Sequence, residues 1–425
     1  MKKFMMIWFG ELISCIGSGM TAFALSVYVY QMTGSATYVS LVTLLAYLPS
    51  ILLSPIGGVL ADRYDRRFMM ILGDLFSGLG LIYLFVQIQL GRGGMAPVLI
   101  GVTIDSLFVA LMEPSYKATV TDLLSEEEYA KASGLVQLAG NAKYLISPAL
   151  AGVLLGFADI RLILLLDIAT FVVTILAVMC VRRTLAKPIV QKSSFHMLQE
   201  LGEGMRFLLS REGILSLVFT MTLLCFFMGV VQTLMPVMAL SITDSKTVGI
   251  LESVSAVGMV VGSMFIGILG IKKNHARILS VAAAFCGVFM ALSGANEAIW
   301  FIGAMLFLFF TTLPFMNTCA DVLIRVSIPN ELQGRVWSLI GLLSQLGTVA
   351  AYAFCGVLAD HVFEPLFAEG GMLTESVGKL IGNGTGRGIG FFLIICGLGM
   401  IVVSGFLFAN KKVRNIKVKE SALEG

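Results

Sequence analysis

The sequence predicts an all-α polytopic membrane protein of twelve transmembrane helices in two six-helix halves, and three observations carry that prediction. Hydrophobic residues fill 57% of the 425 positions and charged residues only 13%, with a mean hydropathy of +0.93, whereas soluble domains are charged at about a quarter of their positions. Cutting the chain wherever charges or turn residues interrupt about 20 apolar residues, the length that crosses a bilayer, yields twelve segments. The basic residues are then strongly one-sided. Of the 29 Lys and Arg, 23 fall at the termini and in the loops of one side, five (Arg92, Arg161, Lys246, Lys379 and Arg387) on the other, and Lys143 alone lies inside a segment.

Taken in order, the helices are expected at 4–30, 36–61, 68–90, 96–116, 133–157, 161–181, 214–240, 247–271, 278–294, 298–320, 335–359 and 388–410. The first follows Met1-Lys2-Lys3 but runs too long for a signal-peptide core, so it is expected to be retained. An even number of crossings puts both termini on one side, and the positive excess makes that side cytoplasmic. The halves are 1–181 and 214–425, joined by a cytoplasmic linker, 182–213. Within it Phe195, Leu198, Leu201, Met205 and Leu208 recur at helical spacing among polar residues, which predicts an amphipathic helix along the inner membrane face.

The stretch from Ile56 to Phe68 is the most informative. A small-residue helix end runs into a loop with two carboxylates and three arginines, too polar for lipid and therefore a turn at the cytoplasmic face. Gly57 and Gly58 leave room for a neighbouring helix. Asp62 and Asp65 are placed to accept from the unpaired N–H groups that open the next helix. Gly58-x-Leu60-Ala61-Asp62-Arg63-x-Asp65-Arg66-Arg67 resembles the cytoplasmic signature between the second and third helices of major facilitator transporters, with Asp65 where the general pattern has Gly. An ordinary positive-inside loop is the plainer reading of the same residues.

An internal repeat agrees with that resemblance. Gly58-Val59-Leu60, Gly152-Val153-Leu154, Gly267-Ile268-Leu269 and Gly356-Val357-Leu358 close the second, fifth, eighth and eleventh segments, with corresponding copies 209 and 204 residues apart. This is the pattern of nested three-helix repeats in major facilitator proteins. Ser147-Pro148-Ala149-Leu150-Ala151-Gly152 resembles the Gly-Pro-x-x-Gly-Gly signature of their antiporter branch. Its proline removes one backbone bond and its small residues admit a close neighbour, so it reads as a bend or, more plainly, as a kinked packing helix. Thr33-Gly34-Ser35, Gly73-Asp74-Leu75, Glu113-Pro114 and Gly356-Val357-Leu358-Ala359-Asp360 complete a pattern similar to the macrolide-efflux subgroup of bacterial drug exporters.

That resemblance implies a major facilitator fold in the bacterial cytoplasmic membrane, acting as a monomer among membrane lipids. It implies export of a small amphipathic substrate by alternating access with proton antiport, and hence antibiotic resistance. Siderophore-exporting and lysophospholipid-moving relatives share the same frame, and a non-transporting sensor on this fold is a further alternative.

Charged residues inside the helices are the pointers to mechanism, since each unpaired one costs roughly 2.5–3.5 kcal/mol on insertion scales. Glu11, Ser14, Ser18 and Thr21 form a polar stripe on the first helix, which must face a cavity or another helix. Asp105 and Lys143, at similar depth in the fourth and fifth helices, are expected to pair. Asp105 stands where the macrolide exporters carry an arginine. Glu113 closes the expected fourth helix, and Asp74 is read as a support for the arginine turn. Asp167 and Glu252 are placed near the outer ends of their helices, within reach of water. Glu11 ranks above Asp105 as the proton carrier.

Other chemistries find no support. The seven cysteines lie in apolar segments without a ligand spacing, so neither disulfide nor metal is expected. His196, His275 and His361 fall in loops and read as solvated. Phosphate-cradling, zinc-protease and serine-hydrolase motifs are missing, so an enzyme and a cofactor are not expected. A net charge of +3 concentrated on one side argues for orientation, not for nucleic acid. Gly370-Gly371 and the alternating glycines Gly382 to Gly388 read as a flexible external connection, and Ser421 to Gly425 as a possible cloning remnant.

Overall fold

The computed structural model describes residues 1–125, 128–183, 197–271, 273–329, 333–410 and 413; the linker stretch 184–196, with His196, and the tail at 421–425 lie outside them. In chain order the helices are α1 (Lys2–Thr33), α2 (Ala36–Arg63), α3 (Arg66–Gln89), α4 (Met95–Leu123), α5 (Tyr129–Leu145), α6 (Ser147–Leu155), α7 (Ile160–Arg183), α8 (Met197–Ser210), α9 (Glu212–Leu240), α10 (Ser245–Leu269), α11 (His275–Gly294), α12 (Ile299–Ser327), α13 (Gln333–Leu358), α14 (Glu364–Phe367), α15 (Gly378–Ile381) and α16 (Arg387–Ala409). Among the described residues twelve helical spans are long and apolar enough to cross a membrane, and each coincides with an expected segment. No strand occurs among the described residues. The short α8 occupies the second part of the predicted amphipathic linker.

The helices gather into two compact units. One holds α1 to α7 with the segment Thr243–Ser253, and the other holds α8, α9, the rest of α10 and α11 to α16. In the first unit α4 packs on α2 and α3, while α1 packs on α7 and on α5 and α6. In the second, α11 packs on α12 and α16, and α9 on α13. Between helices in lipid there is little hydrophobic driving force, so close backbone approach at small residues takes its place. A Cβ added to Gly57 would strike the carbonyl of Ala110, and one on Gly80 would lie 2.7 Å from that of Gly101. In the second unit Gly287 and Gly294 meet Gly397 and Gly390 in the same way.

Four expectations are corrected. The fourth helix does not end at Glu113-Pro114 but continues to Leu123, because a proline is tolerated inside a membrane helix; Glu113 and Lys117 face outward and pair across one turn at 2.6 Å. The fifth span is two helices, broken at Ile146 ahead of Pro148. His275 is buried as the first residue of α11.

The glycine-rich external connection is the fourth, since it is a folded cap rather than a flexible link. A π-helical turn, Ala359–Phe363, leads into α14. The Glu364 carboxylate there accepts from the N–H groups of Gly386 at 3.1 Å and Ile389 at 3.0 Å, satisfying donors that the start of α16 would leave open. Gly382, Gly384 and Gly386 adopt φ of 95°, 102° and 87°, the backbone region that makes glycine necessary at these positions. Arg387, only 1% exposed, donates to the Ile381 carbonyl at 3.1 Å.

Candidate functional site

The arginine turn clamps four helices of the first unit. Asp65 caps α3, accepting from Arg67 N at 3.1 Å, and its other oxygen takes the Arg182 guanidinium of α7 at 2.8 Å. Arg66 donates to the Ala61 carbonyl at the end of α2, to the Ala118 carbonyl at 3.2 Å and to Asp122 at 2.7 Å on α4. Arg67 is buried, whereas Arg63 is exposed. The Asp62 side chain lies outside what is described. Gly57 makes the close helix approach, while Gly58 has open space around it.

Above this turn the first unit holds a group of buried acids. Glu11, 9% exposed, accepts a long contact from the Cys15 thiol at 3.6 Å through Oε1, and its Oε2 has no hydrogen-bond partner. Asp74 on α3 is 2% exposed with Oδ2 unpartnered. It has Glu11 and Asp105 as electrostatic neighbours and contacts none of the turn's arginines, so it is not the support expected of it. Asp105 has one oxygen unpartnered, and Ser77 of α3 donates to its backbone carbonyl at 3.1 Å. The exposed Glu113 lies within electrostatic range of Glu11.

Asp105 and Lys143 do not form the expected ion pair, although Lys143 is within electrostatic range of Asp105. The reason is the packing: α5 meets the end of α4 through its first half, whereas at Lys143 it lies on α1, and the Lys143 stem rests against Gly19, where an added Cβ would lie 2.9 Å from it. Asp167 is also displaced from expectation. It is 1% exposed and accepts from Ser18 and Thr170, each at 3.3 Å. Ser18 of the α1 stripe therefore faces α7, and Thr174 donates to the Gly10 carbonyl on the same seam. Glu252 is half-buried, with Oε1 unpartnered.

The Ser147–Gly152 segment is wedged between two neighbours. Ser147 Oγ donates to the Ile16 carbonyl of α1 at 2.9 Å. On the other side the Pro148 carbonyl lies against Gly249, and Gly152 faces the Ser245 carbonyl. The Ala149 N–H donates to Ser253 Oγ at 3.0 Å, a bond outside the helix that suits a chain already interrupted by proline. A separate cleft of about 630 Å³ opens at the far end of the unit, among Tyr28, Gln31, Asp159, Arg161 and Ser245. Among the described residues no group of three His, Cys, Asp or Glu is arranged to hold a metal. Spacing reasoning overlooked Tyr116, whose buried hydroxyl also lacks a partner; its only sequence signal is its place three residues after Glu113.

The family model described as Major Facilitator Superfamily matches residues 7–352. The chain belongs to this superfamily. Among its relatives, macrolide efflux protein A of Streptococcus pyogenes is 27% identical over 369 residues, 85% of this chain and 90% of the relative. The enterobactin exporter of Salmonella typhi is 25% identical over 410 residues, 95% of this chain and 92% of the relative. A solved bacterial homologue of the iron transporter ferroportin, in an inward-facing state, superposes with a TM-score of 0.74 at 15% identity, covering 96% of this chain and 99% of the other. The nucleoside transporter NupG gives 0.73 at 13% identity, covering 97% of this chain and 100% of the other. These structures share the fold with this major facilitator protein, a multi-pass membrane transporter.

Proposed function

We propose that this major facilitator protein exports amphipathic, macrolide-like small molecules by alternating access, driven by proton antiport, from the cytoplasmic membrane with both termini inside. The observation that carries the coupling is Glu11: a nearly buried carboxyl on α1 with one oxygen unpartnered and no ion pair. Charge on such a group is costly unless a cation is near. A lipophilic amine entering beside it supplies that cation and favours proton release, while proton uptake favours departure of the amine. Binding and proton transfer are thereby linked in the reciprocal manner that antiport requires. The relatives named for macrolide efflux support the substrate class. Those named for enterobactin export, which match most of the chain, support a siderophore as the second reading.

The test is substrate-driven proton flux in liposomes containing the purified protein, with erythromycin and enterobactin as alternative probes. Glu11→Gln keeps the shape and removes titration. It is expected to abolish uphill erythromycin export while downhill movement persists. Normal proton coupling in Glu11→Gln would move the carrier elsewhere, with Asp105 next in line. Flux of enterobactin alone would select the second reading, and movement without any proton gradient would favour a lipid mover.

A further inference from the structure

Three buried polar atoms without partners sit at one level of the first unit, on three different helices: Glu11 Oε2 on α1, Asp74 Oδ2 on α3 and Tyr116 OH on α4. Counted from the ends nearest the arginine turn, they lie nine, eight and seven residues in. Unsatisfied polar groups in a dry interior are uncommon, and each calls for a physical reason. The Tyr116 ring packs with Ile7, Met70, Val178 and Val181 in a buried apolar cluster. Ile7 is one turn before Glu11 and Met70 one turn before Asp74, so the cluster separates both carboxyls from the turn.

The charged neighbourhood of Asp74 is wholly acidic among the described residues. Glu11 of α1 and Asp105 of α4 are within electrostatic range of it, and Asp167 of α7 is within electrostatic range of Asp105. The remaining titratable neighbours of this level are Cys15, beside Glu11, the hydroxyl of Tyr116, with Glu11 and Cys15 as its electrostatic neighbours, the exposed Glu113, and Lys143 of α5, within electrostatic range of Cys15 and Asp105. Lys143 is not among the charged neighbours of Asp74 itself, which are Glu11 and Asp105. Without a fixed counter-charge, the group that can neutralise so buried a carboxyl is a proton.

We infer that Asp74 is a second proton-carrying carboxyl, exchanging its proton with Glu11 past the Tyr116 hydroxyl. The inference rests on the antiport reading of Glu11 and extends it inward. In the step, the O–H bond of the Glu11 carboxyl breaks and an O–H bond forms on the Asp74 carboxylate. Tyr116 passes one proton on and receives another, and ends unchanged. Like charges repel at this depth, so ionisation of one carboxyl opposes ionisation of the other. Asp74, more deeply buried than Glu11, thus holds its proton while the Glu11 carboxyl loses its own and the carboxylate is neutralised by an incoming ammonium group.

The experiment is infrared difference spectroscopy of the carboxyl C=O stretch during pH titration of the protein in lipid vesicles without substrate, followed by proton flux with erythromycin. Asp74→Asn is expected to remove one titration step and to displace the Glu11 step by about one pH unit, the scale of directly interacting sites. Glu11→Gln should do the reverse to Asp74. A Glu11 step that stays in place in Asp74→Asn overturns the inference. In the second arm Asp74→Asn should lower erythromycin-driven proton flux at least ~10-fold, with partial recovery in Asp74→Glu; undiminished flux overturns it. If Asp74→Asn does not fold, Tyr116→Phe reads the same link, since proton exchange after a pH jump should slow ~10-fold, and an unchanged rate overturns the role. A wild type with interacting titration steps but no proton flux driven by either erythromycin or enterobactin rejects the antiport reading while supporting the Glu11–Asp74 exchange.

Discussion

Arg182 Nε lies 2.8 Å from Asp65 Oδ2, tying the last turn of α7 to the residue that caps α3. The same guanidinium stands over the Phe68 ring, 5.2 Å from its centroid. Asp65 therefore has two separable roles. Its ion pair is part-exposed on both sides, which limits it to less than about 1 kcal/mol, whereas loss of a helix cap costs about 1 kcal/mol. Thermal unfolding in detergent should show Asp65→Ala losing more stability than Asp65→Asn, which keeps a capping oxygen. A double-mutant cycle with Arg182→Ala should give a coupling below about 1 kcal/mol that fades in high salt. Equal losses in Asp65→Ala and Asp65→Asn would remove the cap from the account.

Asp105 and Lys143 yield the opposite expectation to that of a buried pair. With no ion pair between them, the cycle Asp105→Asn with Lys143→Met should be nearly additive, within about 0.5 kcal/mol. Breaking a true buried pair would cost roughly 3–5 kcal/mol in either single variant, much of it recovered in the double. Such recovery in unfolding measurements would sink the separation described here.

These two cases mark what was legible in the sequence. Hydropathy located all twelve spans, since the length of an apolar run is a direct consequence of bilayer thickness. Charge contrast located the Asp65 turn because such a cluster has no place in lipid. Depth along a helix can be counted, which places Glu11, Asp105 and Lys143 well inside their helices. The direction each side chain faces was not available by counting. Asp167 seemed near water because it lies toward one end, yet it is sealed by Ser18 and Thr170. Adjacent numbers also misled for α4 and α5, since at Lys143 α1 is the helix on which α5 packs. Glycine density suggested flexibility at 382–388, where the carboxylate of Glu364, some 20 residues earlier, organises the turn.

That cap supplies a third prediction. Glu364 gives two charge-assisted bonds to the first turn of α16, and bonds to a charged group are each worth about 1.5–3 kcal/mol. Glu364→Ala should therefore raise amide hydrogen exchange in peptides spanning 378–392 at least ~10-fold, with little change in α1 to α7. Gly382→Ala should act in the same place, because its φ of 95° is unfavourable for a side chain and the added Cβ meets Glu297. Unaltered exchange in both variants would return this connection to a flexible loop.

The last prediction separates two glycines that look equivalent in sequence. Gly249 and Gly58 each sit among small and branched residues in a membrane helix, but an added Cβ at Gly249 meets the backbone carbonyl of Pro148, whereas Gly58 has nothing within 4 Å. A backbone carbonyl cannot rotate away as a side chain does, so Gly249→Ala must push α10 from the α6 segment, at a cost of about 1–3 kcal/mol for overpacking. Separation would also lengthen the Ala149 N–H bond to Ser253, now 3.0 Å. At Gly58 the same change adds only helix propensity and should be neutral or stabilising by up to about 1 kcal/mol. Unfolding midpoints of the two variants should move in opposite directions or leave Gly58→Ala unmoved. Erythromycin flux should fall in Gly249→Ala and persist in Gly58→Ala. If instead Gly58→Ala loses stability and Gly249→Ala keeps it, the close contact at Pro148 is not what holds the bend.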